Sequence, residues 1–252
     1  MSSLLQLDHC TIRFGGLTAV SDLNLEIGEN NLVGLIGPNG AGKTTVFNII
    51  TGVYRPTEGS ISYRGASLAG CASWEITGHG IARTFQNIRL FGSLSAFDNV
   101  RVAFRLHLEH GIRQSLWRGR AFLEEERKIN DQVMNLLEIF RLGKFRDTPA
   151  KELCYGDQRR LEIVRALATQ PGLLLLDEPA AGMNPTEKVE LMKLIKFVEE
   201  KFKISILLVE HDMKVVMGIC RRIIVLDYGI KIAEGTPEEV RANPKVIEAY
   251  LG

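Results

Sequence analysis

Polar and apolar residues alternate through positions 5–13, 19–27 and 60–63, a period of two that predicts half-buried strands of an antiparallel sheet. Set among these runs, Leu32-Val33-Gly34-Leu35-Ile36 is continuously apolar, as a strand buried on both faces requires. It leads into a glycine-rich stretch, 37–42, and then a helix-compatible one, 43–51, so this part of the chain reads as strand, loop, helix. From about 88 to 151 the strand signals vanish. Phe122, Ile129, Val133, Leu136, Leu137 and Phe140 recur there at spacings of three, four and seven, which predicts an amphipathic helix in a helical insert. The apolar stripe is read as packing surface. Beyond Pro171, apolar strands at 173–176, 204–209 and 223–226 alternate with helices opening near Pro185 and Asp212, the order of a parallel sheet covered by helices. Asn184-Pro185-Thr186-Glu187 and Thr236-Pro237-Glu238-Glu239 each join a capping residue, a first-turn proline and a reciprocal glutamate, and so mark two helix starts.

Composition narrows the classes open to such a chain. With 252 residues, 45% of them hydrophobic, it can bury the core of one large α/β domain or two small ones. A net charge of +1 gives no electrostatic reason to expect nucleic acid or an anionic membrane as a direct partner. The four cysteines are scattered without metal-site spacing, which favours a reducing cytoplasm. Positions 1–7 are too short and polar for a secretory signal, and the longest apolar runs fall far short of the ~20 residues a spanning helix needs. Direct membrane insertion is not expected, and any link to a membrane has to run through a partner.

The strongest local signal is Gly37-Pro38-Asn39-Gly40-Ala41-Gly42-Lys43-Thr44, the pattern G-x-x-x-x-G-K-[ST] between an apolar strand and a helix. Glycines allow successive backbone N–H groups to turn inward around a phosphate, and the helix N-terminus adds partial positive charge. These residues, with Thr45 beside them, are therefore expected to bind ATP. Lys43 would neutralise the β and γ oxygens, and Thr44 would offer its hydroxyl to a Mg²⁺ bridging the same phosphates. Downstream, Leu173-Leu174-Leu175-Leu176-Asp177-Glu178-Pro179 delivers two carboxylates at the end of a buried strand. Asp177 is placed to hold the Mg²⁺ shell, and Glu178 to act as general base toward an attacking water.

Three further features resemble the ATP-binding cassette (ABC) family of ATPases. Leu153-Cys154-Tyr155-Gly156-Asp157-Gln158, opening a helix before the carboxylate strand, resembles the family signature that binds ATP held by the opposite subunit. Gln86 in Arg83-Thr84-Phe85-Gln86-Asn87 looks like the family glutamine that contacts Mg²⁺ and water and senses the membrane subunit. His211 in Glu210-His211-Asp212 looks like the switch histidine at the γ-phosphate. Phe14 matches the family aromatic that stacks on adenine, with a core or hairpin phenylalanine as the competing reading. The strings DEPAAGMNP from Asp177 and EHDMKVVMG from Glu210, and the tail from Gly235 to Gly252, resemble the ATPase of branched-chain amino-acid importers.

The resemblance implies an α/β ATPase core with a parallel sheet, an antiparallel β flank (together 1–87 and 161–252) and an inserted helical subdomain at about 88–160. It implies catalytic roles for Lys43, Gln86, Glu178 and His211, and metal contacts from Thr44, Gln86 and Asp177. It also implies a second ABC ATPase subunit as partner, in a heterodimer with a homodimer as the alternative, integral membrane permease subunits, and a place on the inner face of the cell membrane. An alternative shares every nucleotide motif: a soluble ABC ATPase of an assembly machine such as iron–sulfur cluster biogenesis.

The chain departs from the usual signature, L-S-G-G-Q. Cys154 replaces serine, Tyr155 the first glycine and Asp157 glutamine, and a thiol is a weaker donor than a hydroxyl. Asn184 stands where many relatives have aspartate, and is also an ideal helix cap. Because Lys43, Asp177, Glu178 and His211 are intact, the expectation is functional asymmetry between two ATP sites in a heterodimer.

Overall fold

The computed structural model of the protein describes residues 3–104 and 120–251. Positions 105–119 of the expected helical insert lie outside them, as do the first two residues of the expected signal-free start and the Gly252 end of the matched tail. In chain order the elements are β1 Ser3–Phe14, β2 Leu17–Gly28, β3 Leu32–Ile36, α1 Lys43–Ile50, β4 Glu58–Tyr63, β5 Ala66–Ser67, α2 Ser73–Gly78 and β6 Ile81–Arg83. Next come α3 Ala96–Phe104, α4 Arg120–Ile139, α5 Tyr155–Leu167, β7 Leu173–Asp177, α6 Pro185–Phe202 and β8 Ser205–Val209. The chain closes with α7 Met213–Ile219, β9 Arg222–Asp227, β10 Ile230–Gly235, α8 Pro237–Ala242 and α9 Pro244–Leu251.

Two compact units result: one runs to Gln86 and resumes at Gly172, the other spans Asn87–Pro171. The second unit continues past position 160 because α5 is one unbroken helix to Leu167. In the first unit, a six-stranded sheet runs β10-β9-β3-β8-β7-β6, parallel except for the edge pairing of β10 with β9. Its central strands β3, β7 and β8 are buried at every residue, as their apolar runs require, with Asp177 and Ser205 as the buried polar ends of β7 and β8. Each Leu or Ile so buried stabilises the fold by about 1.5–3 kcal/mol relative to exposure. Beside it lies a four-stranded antiparallel sheet, β2-β1-β4-β5. Leu5, Leu7, Leu23 and Ile27 of that sheet share one core with Val33, Leu35, Phe47 and Ile50, which fixes α1 between the two sheets.

In the second unit α3 packs against α4 and α5. Val133, Leu136 and Leu137 of α4 are buried, as the periodicity predicts, whereas Phe140 lies just past the helix end and is still buried. Asn99 pins the 91–95 turn: its Nδ2 donates to the Phe91, Leu94 and Ser95 carbonyls at 3.0, 3.2 and 3.0 Å.

Both predicted capping boxes form. Asn184 accepts from Glu187 N at 3.0 Å and Thr236 from Glu239 N at 3.3 Å, with Pro185 and Pro237 in the first turns. The elements not anticipated are β5, α2, the three-residue β6, α9 and β10, the last with half-buried residues that carry no clean period. Among the described residues no helix is long and apolar enough to cross a membrane.

Candidate active site

The loop between β3 and α1 has a shape that only glycine permits at two positions. A Cβ on Gly37, at φ +153°, would sit 2.1 Å from the Leu226 carbonyl oxygen, and one on Gly42, at φ +97°, 2.7 Å from the Ala19 carbonyl oxygen. The backbone can therefore lie against β9 and β2 while Pro38, Asn39, Gly40 and Ala41 form the outward bend. Lys43 is buried, and its Nζ donates to the Gly37 and Pro38 carbonyls at 2.7 and 2.9 Å. Burial pulls its pKa below the usual lysine value, and the charges of Glu178 and Asp177 act in the opposite direction. Thr44 is exposed in the first turn of α1 and Thr45 half-buried beside it.

At the carboxyl end of β7 two adjacent carboxylates are sent in different directions. Asp177 is buried and pairs with Arg83, Nη2 to Oδ2, at 2.6 Å. Glu178 takes a left-handed backbone conformation, φ +45°, which turns its side chain off the strand line. A non-glycine residue held there stores on the order of 1–3 kcal/mol, so the surroundings must hold it; its N–H donates to the Val209 carbonyl at 2.9 Å. The Glu178 carboxylate meets two groups expected from the sequence: Gln86 Nε2 donates to Oε2 at 2.8 Å, and His211 Nδ1 stands 3.6 Å from the same oxygen. Gln86 and His211 are both solvent-exposed.

Glu210, between β8 and His211, was not singled out by its sequence context. It is fully buried and accepts from the Ala180, His211 and Asp212 N–H groups at 2.6, 3.2 and 3.5 Å. It thus ties the backbone after Glu178 to the backbone that carries His211. Arg83 is the second residue whose part the sequence did not disclose. The signal for both is a charged residue at the end of an otherwise apolar strand, a position that burial makes costly unless it is paired.

The oxygen donors expected at a metal, the Thr44 hydroxyl, the Asp177 carboxylate and the Gln86 amide, are all hard ligands. Among the described residues no group of three His, Cys, Asp or Glu could hold a metal on its own. That donor set, with its single carboxylate, fits Mg²⁺, which is held by one or two carboxylates and completes its shell with other hard oxygens from phosphate and water.

Phe14 closes β1 at the hairpin to β2 and packs edge-on against Tyr54, ring centroids 5.0 Å apart, with 44% of its surface exposed. It is therefore not a core residue, and its free face is available to a planar group.

The signature residues form their own group in the second unit. Leu153 is buried, and its carbonyl accepts from Gln158 Nε2 at 2.8 Å. Cys154 stands at the N-cap of α5, and its thiol donates to Asp157 Oδ2 at 3.2 Å. Arg160 holds the other Asp157 oxygen at 3.2 Å. Arg159 is buried against Glu162 at 2.9 Å and donates to the Tyr155 hydroxyl at 3.3 Å, leaving Tyr155 partly exposed next to Gly156.

The sequence model of the ABC transporter family matches residues 20–181, and that of the branched-chain amino acid ATP-binding cassette transporter matches residues 231–252. The high-affinity branched-chain amino acid transport ATP-binding protein BraF of Pseudomonas aeruginosa is 46% identical over 249 residues, 99% of this chain and 98% of the relative. LivG of Escherichia coli K12, described in the same words, is 47% identical with the same coverage. A probable LivG of Archaeoglobus fulgidus is 34% identical over 99% of this chain and 95% of its own. Among solved structures, an ABC transporter cassette in its ADP conformation superposes over 100% of both chains, with TM-score 0.85 and 27% identity. A dimeric cassette in a post-hydrolysis state, bound to ADP and phosphate, covers 92% of this chain and 98% of its own with TM-score 0.76 and 26% identity. These similarities favour the transporter reading over the assembly-machine alternative.

Proposed function

This chain belongs to the ATP-binding subunits of ABC transporters, in the group of the branched-chain amino acid transport ATP-binding proteins, and from that premise we propose that it hydrolyses ATP to drive branched-chain amino acid import. The observation that carries the proposal is the meeting of Gln86 and His211 at one carboxylate, Glu178, beside Asp177 and within the field of Lys43.

In this reading the N–H groups of 39–44 receive the phosphates, and Lys43 exchanges the Gly37 and Pro38 carbonyls for β and γ oxygens. Phe14 offers its exposed face to adenine. Thr44, Asp177 and Gln86 would hold Mg²⁺, which would supply charge neutralisation to the phosphates. Glu178 takes a proton from water as the water oxygen attacks the γ-phosphorus. The bond from that phosphorus to the bridging oxygen breaks, releasing ADP and inorganic phosphate, while His211 donates toward the γ-phosphate oxygens. Positioning and charge stabilisation supply most of the acceleration, because phosphoryl transfer to water asks little covalent chemistry of the protein.

We further propose that residues 153–158 close over ATP held by a second ABC ATPase, so that two nucleotides lie between two subunits. Cys154, Tyr155 and Asp157 would make that second site the slower one, because the thiol is committed to Asp157 and is a weak donor. The second unit would receive permease subunits at the inner face of the membrane. The test is uptake of radiolabelled leucine, isoleucine and valine by cells lacking the chain and re-supplied with it or with Lys43→Ala. Uptake restored by the parent and not by the variant is expected; uptake indifferent to the chain contradicts the substrate assignment.

A further inference from the structure

Arg83 ends β6 and lies between two aromatic rings, its guanidinium carbon 5.3 Å from the Phe47 centroid and 5.0 Å from that of Phe85. Its side chain is 8% exposed and that of Asp177 9%. Nη2 donates to Asp177 Oδ2 at 2.6 Å, while Nη1 donates to Asn48 Oδ1 at 2.7 Å and, more weakly, to Thr51 Oγ1 at 3.4 Å. Asn48 belongs to α1 and Thr51 is its C-cap, so one guanidinium joins the helix behind the phosphate loop to the acidic end of β7.

Stability alone does not account for this arrangement. A buried ion pair recovers little more than its desolvation cost, and an apolar side chain of similar volume would fill the space between two phenylalanine rings without that cost. Arg83 Nε is also buried without a hydrogen-bond partner, a further penalty that an apolar residue would not carry. A planar, forked donor does what an apolar side chain cannot: it fixes the direction of a carboxylate relative to a second anchor.

We propose that Arg83 is a positioning residue that locks the Asp177 carboxylate to α1, engaging Oδ2 and setting the orientation of the remaining oxygen toward the bound metal. The inference rests on the reading of Asp177 as a metal-holding carboxylate. It also assigns a division of labour within 83–86. Thr84 N–H donates to the Leu175 carbonyl at 2.9 Å, so the chain is pinned to β7 through Thr84, and the exposed Gln86 reaches Glu178 with its side-chain amide. The anchor at Arg83 holds Asp177 while the Gln86 side chain engages Glu178.

The experiment measures equilibrium binding of a fluorescent ATP analogue to the full chain with Mg²⁺ and with EDTA, for the parent, Arg83→Met, Arg83→Lys, Asn48→Ala and Asp177→Asn. The gain in affinity on adding Mg²⁺ is the readout, and metal-free affinity serves as the check on the phosphate loop. Arg83→Met should keep metal-free affinity within about twofold and lose roughly tenfold of the Mg²⁺ gain, the size of effect seen when a metal ligand loses its orienting partner. Arg83→Lys should behave alike, because a single ammonium cannot span Asn48 and Asp177. Asn48→Ala, which keeps the buried charge pair, should lose part of the gain. A full Mg²⁺ gain in Arg83→Met beside its loss in Asp177→Asn overturns the proposal and leaves the metal reading standing. A full gain in Asp177→Asn overturns both. If Arg83→Met does not fold, an unchanged gain in Asn48→Ala, or full recovery by Arg83→Lys, overturns the bridging role.

Discussion

The Gln86 amide donates to Glu178 at 2.8 Å, so the residue expected to sense the membrane partner is joined directly to the residue expected to activate water. Replacing Glu178 by Gln keeps the shape of the site and removes its base. ATP hydrolysis should fall at least ~100-fold, the usual contribution of a positioned general base, while ATP affinity stays within a few-fold. Steady-state phosphate release and equilibrium nucleotide binding, measured on the same preparation, check this; unchanged turnover removes Glu178 from its role. Gln86→Ala should also slow turnover, by roughly tenfold, because the carboxylate loses the donor that orients it.

Gly37→Ala tests the loop geometry. The added methyl would meet the Leu226 carbonyl oxygen at 2.1 Å, so the loop must leave β9 or the strand must shift. Loss of ATP binding is expected, with destabilisation on the order of 3 kcal/mol in urea unfolding. A variant that binds ATP normally would mean that the loop does not need its backbone against β9.

Phe14→Ala should weaken ATP binding by about 0.5–1.5 kcal/mol, the range for one aromatic contact, or roughly two- to twelvefold in Kd. Tyr54→Ala, which removes only the edge-on support of Phe14, should have a smaller effect in the same direction. Titration of the parent and both variants with ATP decides it, and an unchanged Kd in Phe14→Ala leaves the ring as hairpin surface.

Glu210 predicts a pH dependence of stability. Burial pushes its carboxyl above the usual 4.5, against the N–H groups of Ala180, Asp212 and His211, which pull it down. Because the folded-state pKa is the higher one, this group's contribution is full below 4.5 and is lost as pH rises through the folded value. The stability advantage of the parent over Glu210→Gln should therefore narrow as pH increases, measured by urea unfolding across a pH series. An advantage that widens with pH contradicts the assignment.

Much of this site is legible in sequence because its parts are local. The 37–44 loop, the paired carboxylates at 177–178 and the Asn184 and Thr236 caps are each encoded within a few consecutive residues, and each forms as expected. The partnerships of Arg83 with Asp177 and of Glu210 with Ala180 join residues far apart in the chain, and no period or spacing announces them. The same holds for β6, whose three residues become a strand only through pairing with β7. Phe140 illustrates the limit of periodicity: it lies on the predicted stripe and is buried, yet the helix ends at Ile139.

The central claim is that this chain is the ATPase of a membrane importer working with a second ATPase. Its most direct test is to tag the Glu178→Gln variant, solubilise native membranes in mild detergent with ATP and Mg²⁺, and identify the co-purified proteins by mass spectrometry. Polytopic membrane subunits together with a second ABC ATPase are the predicted result; recovery of soluble assembly factors alone would contradict it.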